Sequence, residues 1–247
     1  QGEKPSHPEL LDWLASELIR GGWRLKPLHR QILLSRTYRM SSSARKDGLA
    51  KDPENHLWWR FDLRRLGAEE IRDSILQVNG TLNRKRGGPS VFPDIPAEVK
   101  AGQSIPGNGW GQSSPAEQAR RTVYAFVKRS LILPIVAAFD GPETDFTCPV
   151  RFATTQPTQA LGMLNSRWIQ QQAELFARDL RQTAAAQREE QVRTALLRVL
   201  QRTPTAAEIG RGARLIRTLE RDGLSPERAL AQYCAVALNL NEFLYLD

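Results

Sequence analysis

The amino-acid sequence predicts a mainly α-helical, multi-helix globular fold with a long Gly/Pro-rich central loop and at most a minor β element. Two observations support this prediction. Apolar residues recur at three- and four-residue spacing in most segments outside residues 80–115, which is typical of amphipathic helices packed on a core. Helix-capping sequences and glycine or proline also mark where several of these segments begin and end.

The first helix has both of its ends marked in the sequence. Ser6-His7-Pro8-Glu9 matches a capping box with proline near the first helical position, and Gly21-Gly22 predicts the stop. Further helices are expected at about residues 27–35, 53–60 and 68–78, and residues 37–52 are polar and predict a loop.

The centre of the chain has a different composition. Residues 80–115 contain Gly87-Gly88-Pro89 and many other glycines and prolines, which predicts a long irregular segment. Residues 122–127 are rich in β-branched and aromatic side chains and are the best strand candidate. A short helix is expected over residues 133–139.

The remainder of the chain is predicted to be helical. Thr205-Ala206-Ala207-Glu208 is a second capping box, and Ser225-Pro226-Glu227 opens the last helix. The helices expected here lie at about residues 157–164, 167–181, 189–201, 205–221 and 225–240.

A looser joint is expected at about residues 183–190, where alanine, glutamine and charged residues replace large apolar ones. The sequence therefore predicts two domains. The main helical module covers residues 1–182 and carries the irregular insertion at about 80–115. A C-terminal helical subdomain covers residues 183–247 and packs on it.

Composition narrows the class of protein. The formal net charge is +8, which permits nucleic acid, anionic lipid or acidic polysaccharide as a partner. Only seven of the 35 basic residues are lysine, and no basic block is five residues long, so a disordered nucleic-acid-binding arm is not expected.

No apolar run reaches the roughly 18 to 20 residues of a membrane span. The polar start of the sequence also lacks the apolar core of a signal peptide.

Short blocks along nearly the whole chain are similar to those of one bacterial family. The closing block, Leu238-Asn239-Leu240-Asn241-Glu242-Phe243-Leu244-Tyr245-Leu246-Asp247, is the most informative. In order, the blocks resemble the C-terminal domain-of-unknown-function module of the planctomycetal cytochrome c-associated proteins. Other blocks are Ser6-His7-Pro8-Glu9-Leu10-Leu11, Gly22-Trp23-Arg24-Leu25, Asp52-Pro53-Glu54-Asn55, Phe139-Asp140-Gly141-Pro142, Cys148-Pro149-Val150-Arg151 and Thr154-Thr155-Gln156-Pro157.

The resemblance implies an exported protein, periplasmic or on the cell surface, with cytochrome c domains elsewhere in the polypeptide. Haem is then expected only in those other domains and no cofactor in this chain, which has neither CxxC nor CxxCH. The expected partners are other domains or subunits of the larger protein, with acidic polysaccharide as a further option and nucleic acid not favoured. The three histidines lack metal-site spacing, so no metal is expected.

No complete catalytic motif is present: GxSxG and a phosphate loop are both absent. Glu69 and Asp73 share a helix face among arginines, which suits acid–base work, anion binding or a salt-bridge lattice. Trp110, between two glycines, is the best candidate for stacking on a ligand. The candidate catalytic residues are His29, Glu69, Asp73, Asp140 and Cys148, and the candidate ligand- or anion-binding residues are Arg39, Arg60, Arg64, Arg65, Trp110 and Arg151.

Three functions are compatible with these observations. The leading hypothesis is a non-catalytic interaction or scaffold module of an exported multidomain protein. The first alternative is an enzyme or binding module for an extracellular acidic polysaccharide, which should gather several of the candidate residues in one deep pocket. The second alternative, a nucleic-acid-binding domain, rests on charge alone and requires salt-sensitive binding.

Cys148 and Cys234 are the two cysteines. Cys148 lies in a proline-flanked loop and Cys234 on the last helix, so we expect different exposure and no disulfide, since bridging needs Cα atoms about 4.4 to 6.8 Å apart. Thiol titration of the unfolded, unreduced protein is expected to count two free thiols. A count of zero would show that the cysteines are bridged.

Overall fold

The computed structural model describes residues 4–145, 147, 151–184 and 187–246. Over these residues the fold is mainly helical, with thirteen α-helices and one two-stranded sheet, as the sequence predicts. No helix in the described ranges is long and apolar enough to cross a membrane. The helices are α1 (Pro8–Arg20), α2 (Leu25–Leu34), α3 (Lys46–Lys51), α4 (Ala68–Val78), α5 (Ala97–Ala101), α6 (Pro115–Gln118), α7 (Pro134–Ala138), α8 (Pro157–Asn165), α9 (Arg167–Thr183), α10 (Arg188–Leu200), α11 (Ala206–Arg221), α12 (Pro226–Ala237) and α13 (Asn241–Leu244).

The described residues form two compact units. The N-terminal unit runs to Arg64 and also includes Tyr245 and Leu246, and the main unit runs from Arg65 to Leu244. The two short strands, β1 (Arg64–Arg65) and β2 (Tyr245–Leu246), pair with each other. The domain division predicted at residue 182 stays a prediction.

In the N-terminal unit, α1 begins where the sequence predicts but without the predicted capping box. His7, not Ser6, is the N-cap residue, and its side chain makes no capping hydrogen bond. The Ser6 hydroxyl lies 2.9 Å from His7 Nδ1 instead. The helix therefore depends on Pro8, whose fixed φ suits the first helical position. It ends at Gly21, whose N–H donates to the carbonyl of Glu17 at 2.8 Å.

The helix predicted over residues 53–60 is wrong, and α3 forms inside the segment predicted as a loop. Asp52 causes the difference, because its buried carboxylate accepts the backbone N–H groups of residues 56 and 57 at 3.0 and 2.7 Å. Asn55 and Trp58 have φ of +58° and +52°, which a right-handed helix excludes. Asn55 then bonds both backbone groups of Arg60 through its side chain. The Asp-Pro-Glu-Asn block is thus a closed loop.

The main unit is built around a layer of long helices. Helix α9 packs along α12, and α11 packs on both α10 and α12. Apolar residues of these helices face inward at the predicted helical spacing and are buried. With those of α4, of α8 and of the residue after α12, the largest fully buried apolar side chains in the described part of the chain are Ile71, Ile75, Met163, Ile169, Phe176, Leu180, Val192, Ile216 and Leu238.

Two of the predicted helix starts in this unit are confirmed. Thr205 caps α11, accepting the Glu208 N–H at 3.3 Å while the Glu208 carboxylate accepts the Thr205 N–H at 2.7 Å. Ser225 caps α12 through a single hydrogen bond, in which its hydroxyl oxygen accepts the N–H of Arg228 at 3.3 Å. Helix α12 ends at Ala237, before the expected residue 240, and the closing block contains the separate helix α13.

The strand predicted over residues 122–127 is wrong. Residues Thr122–Tyr124 form a 3₁₀ turn, and Ala125 makes only an isolated parallel bridge with Val91. The reason is the side chain of Asp73 on α4, which accepts both the N–H and the hydroxyl of Thr122 at 2.7 and 2.6 Å. That contact removes the Thr122 N–H from any ladder. The surrounding irregular segment contains α5 and α6 but otherwise matches the predicted loop.

Cys234 is a free thiol on α12 with 0% exposure. Burial raises its pKa far above the ordinary range, which makes it an inert core residue. Cys148 lies outside the described residues, so the thiol count remains a prediction.

Two glycines of α11 provide a matched test of packing. A Cβ at Gly212 would lie 2.7 Å from both Tyr233 Cε2 and Val192 Cγ1, whereas a Cβ at Gly210 would meet nothing within 4 Å. We expect Gly212→Ala to lower the free energy of unfolding by about 1 to 3 kcal/mol through overpacking. Gly210→Ala should raise it by up to about 1 kcal/mol through helix propensity. Urea unfolding measures both, and equal effects would show that the close approach of α11 to α12 is wrong.

Candidate functional site

A buried arginine on α4, Arg72, lies at the centre of the candidate site. Its side chain is 3% exposed. Nη1 donates to the carbonyl of Arg120 at 3.0 Å and to the hydroxyl of Thr122 at 3.2 Å, and Nη2 donates to the carbonyl of Gln118 at 2.6 Å. The guanidinium also lies 5.7 Å from the ring centroid of Trp168. Arg72 therefore joins α4 and α9 to the stretch of chain at residues 118–122.

The charge of Arg72 is only partly compensated. Asp73 is the nearest carboxylate, 3.8 Å from Nη1, and its oxygens already accept from Thr122 and lie 3.6 Å from Arg121. Burial lowers the pKa of Arg72 to about 10, and the charge of Asp73 opposes that shift only in part. Arg72 stays protonated at neutral pH, so it is a poorly solvated cation.

An apolar pocket of about 390 Å³ adjoins Arg72. Helices α7 and α8, the start of α9 and the irregular segment form its walls, and Pro93, Leu133, Phe139, Met163 and Trp168 supply apolar surface. Its charged residues are Arg72, Arg167 and Asp94, so the pocket carries more positive than negative charge. The Asp94 carboxylate is already engaged, since it accepts from Gln118 Nε2 at 3.2 Å.

Arg65 and Asp140 form a largely buried ion pair. Arg65 Nη2 donates to Asp140 Oδ2 at 2.6 Å, and the two side chains are 6% and 21% exposed. Asp140 has φ +57°, a left-handed conformation that aspartate tolerates. Thr154 donates to this carboxylate through its N–H at 2.8 Å and its hydroxyl at 2.9 Å. Partial burial alone would raise the pKa of Asp140, but the Thr154 hydrogen bonds and the Arg65 charge together lower it.

The other candidate carboxylates on α4 are also paired. Arg151 Nη1 donates to Glu69 Oε2 at 2.7 Å. Partial burial alone would raise the pKa of Glu69, but the Arg151 hydrogen bond and charge bring it below its ordinary value. Asp73 is occupied by Thr122, as described above. These contacts tie α4 to Thr122 and Arg151 through a hydrogen-bonded carboxylate and an ion pair.

The structure places the remaining candidates apart. His29 and Arg39 are exposed in the N-terminal unit. In the same unit, Arg60 lies 5.4 Å from the ring centroid of Trp59 and 3.6 Å from a carboxylate oxygen of Asp62. Arg64 is exposed in β1. Cys148 lies outside the described residues.

Trp110 is packed within the irregular segment. Its indole N–H donates to the carbonyl of Pro93 at 3.0 Å, and its ring contacts Phe92 and Phe126 at centroid distances of 5.9 and 5.8 Å. It also packs against the buried cluster of Ile95, Leu131 and Leu133. Trp110 is therefore a partly buried member of an aromatic cluster with Phe92 and Phe126.

Of the candidate residues named from the sequence, none that the structure describes lines the pocket. Arg151 and Thr154 bring Glu69 and Asp140 to one stretch of chain, but each carboxylate is held by its own partner. The sequence indicates Arg72 only as a member of the ionic cluster around Glu69 and Asp73, and it does not indicate Arg167 or the prolines of the wall as site residues. The only signal was the density of proline around residues 89–96, which indicates an irregular wall and no ligand.

A family model matches residues 1–216 of the chain. The chain belongs to the PSD1 family, proteins of unknown function (DUF1553). The PSD1 match includes α1 to α10 and most of α11, and therefore both the pocket and the carboxylate–arginine pairs. No curated protein and no solved structure matches the chain. Membership of PSD1 fixes no biochemical activity.

The Arg65–Asp140 pair of this PSD1 protein allows a prediction on stability. Asp140→Asn keeps the shape and tolerates the positive φ but leaves the Arg65 charge buried without a counter-ion. We expect a loss of roughly 2 to 4 kcal/mol in the free energy of unfolding at pH 7. The matched control, Asp145→Asn, breaks an exposed pair with Arg129 and should cost less than about 1 kcal/mol.

The effect of Asp140→Asn should depend on pH. Because the folded pKa of Asp140 is lowered, its stabilisation is present above the unfolded value of about 3.9 and is lost as pH falls through the folded value. Urea unfolding as a function of pH should therefore show wild type and variant converging only in acid. A gap that stays undiminished as pH falls below about 3.9 would contradict the assigned role of the charge.

Proposed function

We propose that this chain is a non-catalytic interaction module of an exported multidomain bacterial protein that also carries cytochrome c domains. On this proposal haem resides only in those other domains, and the module binds another domain of the same polypeptide. The apolar surface of α1 and α2 is the observation that carries the proposal.

Neither α1 nor α2 contains a buried residue, although both have an apolar face. Leu11 and Ile19 lie two turns apart on α1 and are 56% and 58% exposed, and Trp23 in the following turn is 72% exposed. Leu25 and Leu34 of α2 are also exposed. Isolated apolar residues on a surface need no explanation, but such a density on one helix pair supports its assignment as an interaction surface.

The state of the candidate acids supports a non-catalytic role. A general acid or base needs a carboxylate that can reach substrate with a pKa raised toward neutrality. Glu69 and Asp140 have lowered pKa values and are bound by Arg151 and Arg65. Their geometry suits structural ion pairs better than proton transfer on a polysaccharide.

Amide hydrogen exchange tests whether another domain docks on the apolar surface of α1 and α2, which is the docking surface of this proposal. Amides of α1 and α2 should exchange at least tenfold more slowly in the longer polypeptide than in this chain alone, because a docked domain suppresses their local opening. The double variant Leu11→Glu/Ile19→Glu, made in the longer polypeptide, should restore the fast rate. Leu197→Glu on α10, a residue 49% exposed, is the matched control and should change nothing.

Two outcomes would contradict the proposal. Equal exchange rates in the chain and in the longer polypeptide would mean that no other domain docks on α1 and α2. Protection that rises with the concentration of the isolated chain would instead identify a second copy of the chain as the occupant.

A further inference from the structure

The pocket beside Arg72 has the properties of a small-molecule site that is independent of the docking surface. Its volume of about 390 Å³ falls within the roughly 300 to 1,000 Å³ typical of ligand pockets. Its surface is mostly apolar, with a few polar groups from Arg72, Arg167 and the Asn165-Ser166 pair that precedes α9. Such a lining selects a ligand with an apolar body and one polar group.

The charges in the pocket decide the kind of polar group. Arg72 and Arg167 are cationic, and the single carboxylate, that of Asp94, already accepts from Gln118. The hydrogen bonds of Arg72 to described residues all leave from Nη1 and Nη2, so its Nε–H donates to none of them. A cation held out of water beside apolar surface favours a carboxylate over a neutral or cationic group.

Gly162 gives a second, independent indication that this space is left open. It lies within α8 and lines the pocket, and a Cβ built on it meets no atom within 4 Å. Glycine costs about 1 kcal/mol relative to alanine inside a helix. No backbone requirement explains it, because its φ lies outside the left-handed range. At this point of the α8 wall there is space for a side chain that glycine does not supply.

We propose that this pocket binds an apolar carboxylate, with its hydrocarbon or aromatic body against Leu133, Phe139, Met163 and Trp168 and its carboxylate directed toward Arg72 and Arg167. The apolar contacts supply most of the affinity, and the arginines select the anion. The ligand is bound without covalent change. This assignment is separate from the docking of α1 and α2 and stands or falls without it.

Isothermal titration of the whole chain with decanoate and with decanol tests the proposal, because the two probes share a tail and differ in the head group. Decanoate is expected to bind saturably, one per chain, and at least tenfold more tightly than decanol. Gly162→Leu should abolish binding of both probes by filling the pocket. Its matched control, Gly210→Leu on α11, also adds a side chain into open space and should bind like wild type.

Arg167→Gln separates the anion preference from the apolar contacts. It is expected to weaken decanoate about tenfold and to leave decanol unchanged. Arg167 is exposed at the start of α9, so the variant should fold normally, whereas Arg72 also holds three backbone and side-chain oxygens and is left intact.

Each remaining outcome would overturn part or all of the proposal. Absence of saturable decanoate binding, or full binding by Gly162→Leu with an unchanged melting temperature, removes the ligand from this pocket. Equal affinity for decanoate and decanol removes the carboxylate. None of these results bears on hydrogen exchange in α1 and α2, so failure here and failure of the docking proposal are distinguishable.

Discussion

The irregular centre of the main unit depends on one buried guanidinium, that of Arg120. The residue is 0% exposed, and its Nη atoms donate to the carbonyls of Lys85, Gly87 and Pro89. Its planar face lies 4.0 Å from the ring centroid of Tyr124. A segment rich in glycine and proline forms no regular ladder, yet its inward carbonyls still need donors. Arginine offers five N–H donors in a fixed fork and so replaces secondary structure as the source of hydrogen bonds.

Arg72 extends this arrangement from the loop to the helices. It binds the carbonyls of Gln118 and Arg120, so the backbone of one buried arginine is held by the side chain of another. Arg120 holds the carbonyls of residues 85, 87 and 89, and the same segment continues to Pro93 and Pro96, which form one wall of the pocket. The preference for arginine over lysine in this chain thus has a structural use, because a lysine ammonium cannot span several carbonyls in one plane.

The sequence predicts an element well when the interactions that form it join residues close together in the chain, and poorly when they join distant residues. Helices whose ends are set by neighbouring residues, such as α11 with its Thr205–Glu208 capping box, were predictable. The errors at residues 53–60 and 122–127 arise where one side chain, Asp52 or Asp73, captures backbone N–H groups and overrides local propensity. The candidate site around Arg72 was harder to predict from the sequence than the helices were. The oxygens bound by Arg72 lie 46 to 50 residues away in sequence, and such pairings leave no periodic signal.

Selection for stability alone would not favour the side chains that line the pocket. Replacing a buried charge by an apolar side chain of similar size is often neutral or stabilising, so Arg72 is no aid to stability beyond the carbonyls it holds. Apolar surface that lines an open pocket also forgoes packing contacts. Gly162 adds the cost of a helical glycine where a larger side chain would fit. The open apolar wall and the helical glycine are both unfavourable for packing, and each has a purpose if the pocket admits an apolar anion. The buried cation selects the head group, the apolar wall holds the body, and the glycine leaves room for it.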